Sequence, residues 1–145
     1  MVRTAYLITG DREEAADVTQ EAFARAYERW RSVSRMDRPG AWVTRVAVNL
    51  ALSSRRRLRL RERPGRSRPS AEPTAPFDPD LMDGLRALTP AQRAVVALRY
   101  LMDRSVEDVA HDLGKRPGTV RALTSQALQR LRQRLGREVD DEARR

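Results

Sequence analysis

The chain has 145 residues, room for one ordinary domain or two small ones. It has no cysteine and a single histidine, His111, which removes disulfide frameworks, thiolate metal sites and multi-histidine metal sites. Lys plus Arg number 29 against 20 acids, a net charge of +9, so the expected partner is an anionic polymer.

The hydrophobic periodicity predicts helices throughout and no strand. A first helix, Met1–Ile8, ends at Gly10-Asp11. It has no cap before it, so either the true start lies upstream or this helix is short. Asp11 is the N-cap of a second helix, with Glu14 at capping-box spacing, running to about Trp30. Ala16, Phe23, Ala26, Tyr27 and Trp30 are its expected buried stripe, and Asp17, Gln20, Glu21, Ala24 and Glu28 its solvated face. Ser32–Arg38 reads as a loop. Pro39 opens a third helix that runs to about Arg61, with Val43, Val46, Ala47 and Leu50 facing inward.

Residues 63–80 hold five prolines and read as a fairly extended linker. Four further helices follow. They are Leu81–Leu88; Ala91–Leu101, capped by Thr89; a helix from the Ser105 cap to Leu113-Gly114; and a last one from Pro117 to about Leu135. The expected fold is all-α, with two small helical domains, 1–62 and 81–145, joined by the linker 63–80.

The longest uninterrupted apolar run is Ala94–Leu98, far short of the roughly 20 residues of a membrane span. The N-terminus lacks the pattern of a secretory signal. A cytoplasmic protein with no membrane partner is expected.

The charge is blocked. Residues 55–70 carry +7 and residues 115–137 carry +7, while 71–83 between them carry −4. Two separated basic blocks suggest two nucleic-acid contacts. Arginine supplies 28 of the 29 basic residues. A GC-rich codon bias accounts for that ratio, but not for the placement.

Ser105 through Gly114, followed by Pro117-Gly118-Thr119-Val120-Arg121, has the form of a helix-turn-helix. Val106, Val109, Ala110, Leu113, Val120 and Leu123 are its expected shared core. The candidate duplex contacts are Arg116, Thr119, Arg121, Thr124 and Ser125, at the start of the second helix where it can enter a major groove. A basic helical hairpin without DNA is the plain alternative. His111, inside the first helix with no second ligand at helical spacing, is read as solvent-facing.

On the third helix Trp42, Arg45, Asn49, Ser53 and Arg56 recur at steps of three or four and share a face. A stacking ring, an amide and two cations suit unstacked bases. Trp42 reads equally well as core. Arg55, Arg56, Arg57, Arg59 and Arg61 extend the face as a phosphate-tracking tail.

In this order the pieces resemble the small sigma-70 family initiation factors of the extracytoplasmic-function (ECF) group. Residues 3–30 look like that family's region two, with Gly10-Asp11, Asp17, Gln20-Glu21 and Phe23 matching its polymerase-binding pattern. Ala41-Trp42-Val43 through Asn49-Leu50-Ala51 look like its promoter-melting helix. Leu88-Thr89-Pro90-Ala91-Gln92-Arg93 and Gly118-Thr119-Val120-Arg121 look like its region four.

The resemblance implies that Asp17, Gln20 and Glu21 grip the clamp helices of the polymerase β′ subunit. It also implies that region four meets the β flap and reads the −35 element. The loop Val33–Arg38, with Arg35 and Arg38, would take a flipped base of the −10 element. Trp42, Arg45, Asn49 and Arg56 would face melted DNA. The linker would run through the polymerase interior, and an anti-sigma factor is a possible partner. This chain departs from the family pattern at Ser53-Ser54, Ala122-Leu123 and Gln126, where that family usually has an aspartate, Ser-Arg and a basic residue.

No metal-spaced carboxylate cluster, Walker loop or nucleophile–base pair is present, so neither catalysis nor a cofactor or metal is expected. The alternative function is a stand-alone helix-turn-helix regulator that does not bind polymerase.

Overall fold

The computed structural model describes residues 1–61 and 77–143, and all regular structure among them is helical. The chain divides into two compact units, Met1–Ser70 and Ala71–Arg145. Most of the predicted linker lies outside the described residues.

The first unit contains α1 (Val2–Thr9), α2 (Arg12–Glu28), the single turn α3 (Trp30–Val33) and α4 (Pro39–Arg61). Gly10 ends α1 with φ 70°, a left-handed conformation that glycine adopts without strain, and its N–H donates to the Tyr6 carbonyl. Asp11 then caps α2, its Oδ1 accepting from the Glu14 N–H at 2.9 Å. Helices α1, α2 and α4 pack mutually. Because α4 touches both others, its buried face is wide: Val43, Thr44, Ala47, Val48 and Ala51.

The buried face of α2 differs from the predicted one. It is Ala15, Val18, Thr19, Ala22 and Ala26. Phe23, Tyr27 and Trp30 are 55%, 84% and 57% exposed. The helix carries two adjacent apolar stripes, one of small residues and one of rings, and a three-helix unit covers only one. The small stripe faces inward, where alanines let helix backbones approach closely. The helix also ends sooner than predicted, at Glu28, and a separate turn replaces the start of the expected loop.

The second unit contains α5 (Pro79–Arg86), α6 (Pro90–Val96), a π-helical turn (Ala97–Leu101), α7 (Val106–Leu113) and α8 (Pro117–Ala143). Asp78 caps α5 by accepting from the Asp80 N–H at 2.9 Å, so the helix begins two residues before the predicted Leu81. Thr89 and Gln92 form a reciprocal capping box on α6, at 3.2 and 3.1 Å. The predicted helix Ala91–Leu101 is broken by the π turn, in which the Met102 N–H reaches back to the Ala97 carbonyl. Ser105 caps α7, and Gly114 ends it at φ 60°.

Helices α5, α6 and α7 all pack on α8. Of the predicted helix-turn-helix core, Val109, Ala110 and Val120 are buried, while Val106, Leu113 and Leu123 are half-buried. Below them lie Met82, Leu85, Val95, Leu98, Ala127 and Leu131. Helix α8 continues past the predicted Leu135 to Ala143.

Candidate nucleic-acid interface and docking face

Asp17, Gln20 and Glu21 stand on the exposed side of α2, as the helical spacing requires. The Glu21 carboxylate accepts from Arg25 Nε at 2.8 Å, a half-exposed pair one turn apart. The exposed rings of Phe23, Tyr27 and Trp30 flank this polar face. Periodicity alone turns all three inward, because large apolar residues gain most from burial, and only the family resemblance places Phe23 in a binding pattern. A row of rings beside carboxylates and an amide is a surface suited to a protein partner.

On α4, Asn49, Ser53 and Arg56 are exposed and Arg45 is half-buried. Trp42 is also half-buried and packs against the cluster Ala22, Ala26, Val43 and Ala47. Its ring therefore belongs to the edge of the core and still keeps a surface. Arg35 and Arg38 are exposed before the helix. The Arg38 carbonyl accepts from the Ala41 N–H at 3.1 Å, fixing Arg38 at the helix start. Beyond Ala51 the helix runs on for ten residues, about 15 Å, with Arg56, Arg57, Arg59 and Arg61 exposed.

In the second unit Arg116 and Thr119 are exposed at the start of α8, and the Arg116 carbonyl accepts from the Val120 N–H at 3.1 Å. Arg121, Thr124 and Ser125 come together in a cleft of about 300 Å³, with Arg99, Val106, Leu128 and Arg132. The Thr124 hydroxyl already donates to the Val120 carbonyl at 2.8 Å, so toward a ligand it can only accept. Arg121 Nη2 donates to Glu107 Oε1 on α7 at 3.3 Å. His111 is exposed.

The geometry of the helix-turn-helix rests on a buried ion pair absent from the sequence reading. Arg104 Nη2 meets Asp112 Oδ2 at 2.5 Å, with side chains 9% and 3% exposed. The Arg104 N–H donates to the Leu98 carbonyl, and its own carbonyl accepts from Arg99 Nη1 at 2.7 Å. The loop after the π turn is thereby tied both to α7 and to the cleft. Asp103 in that loop has φ 50°, a left-handed value uncommon outside glycine. The only sequence signal was two ordinary charged residues eight positions apart.

Comparison with known proteins accounts for this combination. Residues 1–61 match the family Sigma-70 region 2, and residues 84–133 match Sigma-70, region 4. The RNA polymerase sigma-E factor of Streptomyces coelicolor is 34% identical over 153 residues, an alignment spanning 99% of this chain and 84% of that protein. The ECF RNA polymerase sigma factor SigL of Mycobacterium tuberculosis is 34% identical over 140 residues, spanning 90% of this chain and 79% of that one. The sigma factor RpoE of Bartonella quintana, solved in complex with the anti-sigma factor NepR, shares the fold. It has a TM-score of 0.72 at 22% identity, over 93% of this chain and 89% of that one. This chain belongs to the sigma-70 family of RNA polymerase sigma factors. Within that family it falls in the ECF group.

Proposed function

We infer that this chain is a dissociable initiation factor that binds core RNA polymerase and directs promoter recognition and transcription initiation. The observation that carries the reading is the order of two family matches on one chain, region 2 on residues 1–61 and region 4 on residues 84–133, each within its own compact unit. In this reading residues 1–62 form the polymerase-binding and −10 unit. Residues 63–80 connect it to the −35 unit, whose first helix is already capped at Asp78.

Asp17, Gln20 and Glu21 are the polymerase grip, with the flank of Phe23, Tyr27 and Trp30 as its apolar part. Arg35, Arg38, Trp42, Arg45, Asn49 and Arg56 handle the −10 element. Arg116, Thr119, Arg121, Thr124 and Ser125 handle the −35 element. The chain itself makes and breaks no bond; that chemistry belongs to the polymerase. Its setting is the cytoplasm, and an anti-sigma factor is its regulatory partner.

Gel filtration with core RNA polymerase tests the reading, using the full chain beside a variant with Asp17→Ala and Gln20→Ala. Co-elution of the wild type that the variant loses is the expected result. A folded wild-type chain that elutes apart from polymerase, yet still binds duplex DNA, is a stand-alone regulator. An anti-sigma partner is tested by pull-down from uninduced cells, where recovery of none removes it.

A further inference from the structure

The surface that would meet duplex DNA is cationic with one local exception. Arg99, Arg121 and Arg132 line its cleft together with Thr124 and Ser125. Residues 115–137 hold seven cations and no acid. Yet Glu107, in the first turn of α7, reaches Arg121 of α8 at 3.3 Å, and both side chains are well exposed, 69% and 62%.

A carboxylate beside a polyanion's docking face weakens every phosphate contact near it. A surface shaped for non-specific grip is better without it. The contact does something a grip does not require. An arginine on an exposed helix turn samples many rotamers, and all but one are lost when it docks on a base edge. Glu107 engages Nη2 and leaves Nη1 and Nε unoccupied by this bond. It holds the planar guanidinium from a different helix, 14 residues away in sequence. The Ser105 cap fixes the turn that carries it, at 3.0 Å from the Asp108 N–H.

We propose that Glu107 is a positioning residue for base readout. It sets the orientation of Arg121 at the cleft, lowering non-specific affinity and raising discrimination at one base pair. The proposal rests on the reading of α8 as a duplex-reading helix.

The test is a double-mutant cycle in the assembled holoenzyme, the full chain with core polymerase. Selection from duplexes randomised only across the −35 region, the rest held constant, first supplies a preferred sequence. Affinities for that duplex and its single-base variants are then measured for wild type, Glu107→Ala, Arg121→Ala and the double variant. Glu107→Ala is expected to raise affinity for unrelated duplex and to lower discrimination at one base pair by about threefold or more. Arg121→Ala is expected to flatten the preference at the same base pair, and adding Glu107→Ala to it then changes nothing further there.

Equal effects of Glu107→Ala in both backgrounds overturn the proposal, because Glu107 then does not act through Arg121. So does a loss spread over many base pairs, which means that α7 and α8 have shifted against each other. Unchanged discrimination in Glu107→Ala makes the pair an ordinary surface ion pair. If Arg121→Ala also leaves discrimination intact, Arg121 reads nothing and the proposal falls, while a surviving preference for the selected sequence keeps α8 as the reading helix. If wild-type holoenzyme selects no upstream sequence at all, the reading of α8 itself fails.

Discussion

The two units solve the problem of a small core differently. Among the described residues of the first, no charged residue is buried as a whole; its buried polar residues are Thr4, Thr9, Thr19 and Thr44. Two of these return their hydroxyl to the preceding turn, Thr19 to the Ala15 carbonyl at 2.7 Å and Thr44 to the Gly40 carbonyl at 2.9 Å. The rest of the core is apolar, with alanines and valines packed around Tyr6, Leu7 and Ile8. The second unit buries Gln92, Arg93, Arg104 and Asp112. Apolar contacts between helices tolerate sliding, whereas a directional ion pair does not. The unit proposed to read duplex DNA has the fixed joint, and the unit proposed to grip polymerase has the plain packed bundle.

Both tryptophans, Trp30 and Trp42, lie in the first unit, so their fluorescence follows that unit while far-UV circular dichroism follows the whole chain. The largest expected effect is on the buried pair. Arg104→Ala removes the buried guanidinium that faces Asp112 and should cost about 3–5 kcal/mol in denaturant unfolding, visible in circular dichroism and not in tryptophan fluorescence. Replacing both residues together by apolar ones of similar size should recover much of that loss while loosening DNA discrimination. Full retention of discrimination in that double variant removes the joint's functional role.

Overpacking sharpens the contrast from the other side. Ala22 is fully buried between α2 and α4. Ala22→Leu should destabilise the first unit by about 1–3 kcal/mol, now seen in fluorescence. Smaller again is Asp11→Ala, which removes one helix cap and should cost about 1 kcal/mol in the same signal. Smallest in stability is the pair Phe23→Ser and Tyr27→Ser, within about 0.5 kcal/mol of wild type because both rings are exposed. The same pair should weaken co-elution with core polymerase. Unchanged co-elution takes the ring flank out of the interface.

The features legible in the sequence are the local ones. Gly10-Asp11, Thr89-Pro90, Ser105 and Gly114 mark helix ends through their own backbones and side chains, so neighbours along the chain suffice to read them. Arg116, Thr119, Arg121, Thr124 and Ser125 follow from the position of α8 after that glycine. What escaped is whatever depends on a choice between surfaces or on a distant partner. Periodicity on α2 fits two stripes, and only the packing of α1 and α4 selects the alanines. The π turn is closed by the Met102 N–H on the Ala97 carbonyl, and the Arg104 N–H on the Leu98 carbonyl holds the loop that follows it. Nothing local pairs Arg104 with Asp112, since charged residues are almost never buried and a partner eight positions away leaves no pattern in the sequence. The face of Asp17, Gln20 and Glu21 was invisible to physics, because an exposed polar row is what any helix shows to water. Only its resemblance to a known pattern singled it out.

The ring flank on α2 also bears on how the chain behaves between encounters. Three exposed aromatic side chains within eight residues leave the unpartnered chain with an adhesive edge. A partner seated on it, as proposed, would remove that edge from water. Solubility, self-association and resistance to proteolysis then differ between the free and captured forms. If the ring flank is part of the proposed polymerase grip, the supply of partner would set how much of the chain persists.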